Sequence, residues 1–130
     1  MLLQFTNEGS QACSLRGFPT VTELRGSLSQ IAAEQTTTGS FSVPGQSPGP
    51  AQTVSLAPGR SAEAVLEWAD NDVQSGGRYN ASVCPDFGVS GFQVSAPGTS
   101  WAEQIPAVGV AVCRDLAVQP VVPVAGSADR

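Results

Sequence analysis

Gln52-Thr53-Val54-Ser55-Leu56-Ala57-Pro58-Gly59-Arg60-Ser61-Ala62-Glu63-Ala64-Val65-Leu66-Glu67-Trp68 is the stretch whose patterning decides the fold class. Gln52, Val54 and Leu56 share one parity and alternate with Thr53 and Ser55. Beyond the bend, Ala62, Ala64, Leu66 and Trp68 alternate with Glu63, Val65 and Glu67. A period of two on both arms, with Pro58 and Gly59 between them, predicts two strands joined as a hairpin. The competing pattern is a short helix capped by Ser61, with Glu63 and Glu67 four residues apart. The strand pattern is preferred because it gives the Gln52–Leu56 arm a partner.

Working upstream, Thr36 to Pro50 has 12 of 15 residues drawn from Thr, Gly, Ser and Pro. So little apolar surface predicts a flexible surface loop over residues 36–50. Ser27 to Ala33 is weakly patterned. Ala12 to Leu24 reads as strand, broken near Gly17-Phe18-Pro19, because Pro19 cannot donate to a ladder. Leu2 to Thr6 is a short apolar strand. Asn7 to Gln11 follows as a turn, with Asn7 and Gly9 suited to positive φ.

Downstream, Asp70 to Gly77 reads as a polar loop and Arg78 to Cys84 as strand. Phe87 to Ser95 is strand-like, with Gly88 and Gly91 inside it as signs of bulges or close backbone approach. Pro97 to Pro106 reads as a loop carrying Trp101, and Ala107 to Val118 as a strand. Gln119 to Val124 is extended with two prolines, as on a sheet edge, and 125–130 is expected to be a disordered tail. Seven or eight short antiparallel strands without a convincing helix predict an all-β sandwich forming one domain over residues 1–124.

Composition narrows the chemistry. The chain has 130 residues, six of them Arg, with no His and no Lys against eleven acids, for a net charge of −5. Without His there is no Ser-His-Asp triad, Cys-His pair or HExxH. Without Lys there is no Schiff base, Ser-Lys dyad or P-loop. Arg16, Arg25, Arg60, Arg78, Arg114 and Arg130 are scattered, which argues against nucleic acid and against an anionic membrane surface. No apolar run approaches the roughly 18 residues of a membrane helix.

The opening Met1-Leu2-Leu3-Gln4-Phe5-Thr6-Asn7 lacks the features of a signal peptide and reads as strand from the start. The true start, with any signal peptide or lipid anchor, is therefore expected upstream. Cys13, Cys84 and Cys113 form no CxxC pair. They permit one disulfide and an orphan, or three reduced thiols. A Cys84–Cys113 link would close about 30 residues and stabilise by roughly 3.5 kcal/mol in the chain-entropy model. A low-charge, Ser/Thr/Gly/Pro-rich β chain fits an exported protein and hence the oxidised form.

Three blocks carry a family resemblance. The first is Phe5-Thr6-Asn7-Glu8-Gly9-Ser10-Gln11-Ala12-Cys13-Ser14-Leu15-Arg16-Gly17-Phe18-Pro19, of the form TNxGxxxCxLxGxP. The second is Val54-Ser55-Leu56-Ala57-Pro58-Gly59-Arg60-Ser61-Ala62, and the third is Cys113 followed by Leu116-Ala117-Val118-Gln119-Pro120. In this order they resemble the actinobacterial family called domain of unknown function 4232, which occurs in exported proteins and lipoproteins. The resemblance implies an immunoglobulin-like sandwich. It also implies a missing N-terminal strand that would carry another cysteine, an unpaired Cys13, and a Cys84–Cys113 disulfide. It brings no established activity.

The motif residues have folding roles that the chain itself suggests. Asn7 and Gly9 shape a turn, Gly17 and Pro19 bend a strand, and Pro58 and Gly59 reverse the chain. Cys13 and Leu15 share a parity that is expected to face the core. Glu63 and Glu67 read as the solvated side of a strand, and Asp70-Asn71-Asp72 as a surface loop too poor in acids for a strong calcium site. No serine lies in GxSxG, and Cys13 has no base to activate it. Asn80-Ala81-Ser82 matches a glycosylation sequon. Trp68 is expected in the core and Tyr79 half-buried. Trp101, in a Pro/Gly-flanked loop, is the candidate binding residue. The expected protein is a monomeric, non-catalytic, extracytoplasmic envelope-binding module without cofactor or metal. Its partner would be an envelope protein or a glycan, and it would touch membrane only through an upstream anchor. A carbohydrate-binding module using loop aromatics and a spacer within a larger exported protein are the alternatives.

Overall fold

The structure is a computed structural model and describes residues 1–25, 28–39, 41, 43, 49–69, 86–112 and 114–124. Every regular element in them is a strand: β1 (Leu2–Thr6), β2 (Cys13–Arg16), β3 (Thr20–Arg25), β4 (Leu28–Ala32), β5 (Glu34–Gln35), β6 (Thr53–Leu56), β7 (Ser61–Ala69), β8 (Asp86–Ser95), β9 (Glu103–Val112), β10 (Arg114–Val118) and β11 (Val122–Pro123). The fold is an all-β sandwich. One layer runs β1-β7-β10-β5, with β11 beside β7. The facing strands are the sheet β4-β3-β8-β9 and the pair β2-β6.

β7 is the spine, and its alternation sets both halves of the core. Ala62 and Ala64 pack with Val54, Leu56 and Val121. Leu66, on the same parity, packs with Leu3, Val21, Val89, Phe92, Val112 and Val118, and Trp68 lies against this cluster. Small residues near the start of β7 let β6 approach, while the larger Leu66 and Trp68 fill the space under β8. Trp68 is half-buried, its ring centroid 5.4 Å from that of Phe92 at an interplanar angle of 37°. Glu23, fully buried, shares the inward parity of Val21 and stands opposite Phe92 in the β3–β8 register.

The strand pattern of 52–68 holds and its helical competitor does not, but the two arms are not a hairpin. β6 pairs with β2, Cys13 against Leu56 through Arg16 against Thr53. β7 pairs instead with β1, β10 and β11. The bend itself is a type II turn: Arg60 N donates to Ala57 O at 3.0 Å, and Gly59 has φ 81°. Asn7 wedges the arms apart. Its backbone N donates to Arg60 O at 2.9 Å and its carbonyl accepts from Gly59 N at 2.7 Å. Its side-chain Nδ2 donates to Leu56 O at 3.0 Å and to Gln11 O at 2.8 Å. The arms therefore enter different layers and meet face to face.

Other expectations shift for local reasons. Asn7 and Gly9 are not at positive φ. Gly9 N donates to Asn7 Oδ1 at 3.0 Å, which turns the chain through the side chain instead. The break after β2 does use positive φ, at Gly17 (101°), and Pro19 is buried there. Residues 103–106 belong to β9. Pro106 is tolerated because β9 lies at the end of its sheet. The 107–118 run is two strands, β9 and β10. A further irregularity lies within β10, where the register shifts between Arg114 and Ala117 around Asp115 at φ 58°. The register of β8 against β9 shifts on both sides of Val89, and a Cβ on Gly91 would strike the Ile105 carbonyl. The glycines at 88 and 91 thus mark bulges and a close approach.

Some described residues of the 36–50 stretch bond to the sandwich or are buried. Thr36 N donates to Val118 O at 2.9 Å, Gln119 Nε2 donates to Phe41 O at 2.8 Å, and Val43 is buried. The expected loop at 70–77, strand at 78–84 and tail at 125–130 lie outside the described residues.

Candidate functional site: a groove between two sheet edges

Trp101 is placed by the end of β8. Ala96-Pro97-Gly98-Thr99 is a second type II turn, with Thr99 N donating to Ala96 O at 3.1 Å and Gly98 at φ 76°. Thr99 Oγ1 donates to the same carbonyl at 2.9 Å. Ser100, Trp101 and Ala102 then run free until β9 begins at Glu103. The indole has no strand partner to cover it and is 72% exposed.

Trp101 stands on the rim of a groove of about 370 Å³. Apolar side chains line it: Phe5 from β1, Leu15 from β2, Leu56 from β6, Val94 from β8 and Ile105 from β9. The polar and charged lining includes Thr6, Asn7, Glu8, Cys13 and Glu103. Among the described residues, β1 pairs with β7 alone and β9 with β8 alone, so the groove opens between two terminal strands of the facing layers.

Cys13 is free and exposed, not in the core. Its parity with Leu15 holds, since both line the groove and Cys13 stands opposite the buried Leu56. What differs is the cover: at the end of β2 that face meets the groove instead of another sheet. Among the described residues no basic side chain lines the groove. Cys84 and Cys113, and with them the expected disulfide, lie outside the described residues, as do Tyr79, Asp70-Asn71-Asp72 and the sequon.

A second groove, of about 380 Å³, lies against the other end of β7, where Trp68, Phe41, Glu34, Glu67 and Asp115 line it. Trp68 and Trp101 therefore belong to separate grooves. Glu63 and Glu67 are half-buried beside the 2%-exposed Val65, so this face of β7 is partly covered. Among the described residues no three His, Cys, Asp or Glu side chains converge to hold a metal.

Of the motif residues at the turns, Asn7 lines this groove. The groove itself was not legible in the sequence. The one lining residue that the sequence marked as a candidate is Trp101, in its Pro/Gly-flanked loop.

A family model described as Domain of unknown function (DUF4232) matches residues 1–122. No curated protein matches the chain, and no solved structure does.

Proposed function

The chain belongs to the DUF4232 family, and from that premise we propose that it is a non-catalytic binding module of the cell envelope, working outside the cytoplasm through the Trp101 groove. The observation that carries this is an indole left 72% exposed on the rim of an apolar groove. A large exposed aromatic beside a concave apolar surface is the usual anchor of a binding site. A sequence without His or Lys, and a groove lined by no basic group among the described residues, favour binding over chemistry. Export, an immunoglobulin-like ancestry and a Cys84–Cys113 link belong to the same proposal. They rest on the composition and on the family resemblance.

A glycan platform made from Trp68 and Trp101 together is disfavoured, because Trp68 packs on Phe92 and lines the other groove. The test is Trp101→Ala, read by co-sedimentation with isolated cell-envelope material. The expected result is an unchanged unfolding midpoint, as for most exposed substitutions, with retention reduced by about tenfold or more, as for an anchor worth at least ~1.4 kcal/mol. Equal retention of the variant would remove the groove from the account.

A further inference from the structure

We propose that the second groove, the one lined by Phe41 and Glu67, is a glycan site. It takes a neutral hexopyranose unit laid against Phe41 and over Ala117, with hydroxyls donating to the carboxylates around it. The site is separate from the Trp101 groove and does not depend on it.

Sheet register builds the floor. Ala117 of β10 stands opposite Glu67 of β7 on one side and opposite Glu34 of β5 on the other. Register partners point to the same face of a sheet, so these three side chains form one row across three strands. Leu66 belongs to the core, and Glu67, the next residue of β7, therefore points to the outer face of the layer. Two strand spacings set the backbones of Glu34 and Glu67 about 9.6 Å apart. Ala117 fills little of the space between them.

The described residues from Thr36 to Phe41 supply a wall. Thr36 N donates to Val118 O at 2.9 Å, and Gln119 Nε2 donates to Phe41 O at 2.8 Å. Thr36 Oγ1 donates to Thr38 O at 3.0 Å and accepts from Thr38 N at 3.1 Å. Gly39 lies so close to β7 that a Cβ on it would strike Glu67 Oε1 and Gln119 Nε2. These contacts fix the wall before a ligand arrives, which lowers the cost of binding one. Phe41 is left 64% exposed on the groove.

The lining selects the ligand. Glu34, Glu67 and Asp115 contribute carboxylates, which accept hydrogen bonds and donate none. Among the described residues no basic side chain lines the groove, which argues against an anionic ligand. The occupant must bring donors and an apolar face. A pyranose has both: hydroxyls around its rim, and C–H groups that cover an aromatic ring. A carboxylate that already holds one donor, as Glu67 holds Gln119 Nε2 at 3.5 Å, keeps lone pairs for a hydroxyl. A small cation would use the charges and leave most of the roughly 380 Å³ unfilled.

The full chain is titrated with maltotetraose, cellotetraose and mannotetraose, followed by calorimetry and by heteronuclear NMR. At least one should bind saturably and shift the amides of Gln35, Thr38 and Ala117. Phe41→Ala should weaken that binding by about tenfold or more. Ala117→Leu, which fills the floor between the carboxylates, should abolish it. Glu34→Gln keeps an acceptor and removes a charge, so it should weaken sugar binding by about tenfold or less. Phe41→Ala and Glu34→Gln change exposed side chains and should leave the unfolding midpoint unchanged. Trp101→Ala should bind the sugar as the unaltered chain does, and tetramethylammonium should not displace it.

Failure of all three sugars to bind overturns the proposal. Binding that survives both Phe41→Ala and Ala117→Leu, or that is lost in Trp101→Ala, places the sugar elsewhere and overturns it too. Displacement by tetramethylammonium that disappears in Glu34→Gln replaces the glycan with an organic cation.

Discussion

Asn7 ties three segments together with its side chain and its own backbone N–H and C=O. Asn7→Ala removes the donors to Leu56 O and Gln11 O and leaves a buried carbonyl unsatisfied. The expected loss is about 2–3 kcal/mol, measured as a lowered denaturant midpoint with an unchanged slope. Two glycines separate conformational strain from steric strain. Gly59 sits at φ 81° with open space where a Cβ would stand, so Gly59→Ala is expected to cost only about 1 kcal/mol, from the left-handed backbone. At Gly91 the obstacle is the Ile105 backbone, which cannot swing aside as a side chain would. Gly91→Ala should exceed Gly59→Ala, at about 2–3 kcal/mol, and should disturb β9 in amide exchange. Equal losses at both glycines would contradict the close approach. The sequence pointed to Gly91 because a glycine inside a strand pattern asks for such a neighbour. For Asn7 the sequence pointed to the turn with Gly9 and not to the bonds to residues 49 and 53 positions away.

Strand periodicity told which residues share a face and where chains turn, and did not tell which strands pair. Leu2–Thr6 has the bounds of β1, and the Ala57–Arg60 bend is where it was expected. The partner of β6 was not legible because alternation in Val54 and Leu56 suits any neighbour that offers an apolar face. Proximity along the chain favoured β7, and the Asn7 wedge awarded β6 to β2. The same limit explains Cys13, where parity names a face and leaves its cover unspecified. Pairing has a direct test in Ser14→Cys/Ser55→Cys, placed in a background with the three natural cysteines changed to serine. Ser14 and Ser55 are register partners, within disulfide reach for directly opposed strand residues. Oxidation should give an intramolecular cross-link, identified by mass spectrometry of a digest. A chain that resists cross-linking would favour the hairpin over the observed layers.

At the scale of the molecule, two layers close over Phe92, Leu66 and their neighbours, and among the described residues a groove lies between β1 and β9. That groove gathers Trp101, Cys13 and side chains of β1, which are far apart in sequence, so only the fold reveals them as one surface. Thiol counting tests the export proposal at the same scale. Native protein purified without reductant should show one reactive thiol, at Cys13, and three after denaturation and reduction. Three thiols in unreduced, denatured protein would contradict the Cys84–Cys113 link. The account as a whole turns on whether the groove around Trp101 is the working surface. Indole fluorescence during titration with solubilised envelope material measures this directly. It should give a saturable shift that disappears in Trp101→Ala. No shift, with full retention of the variant on envelope material, would contradict the account.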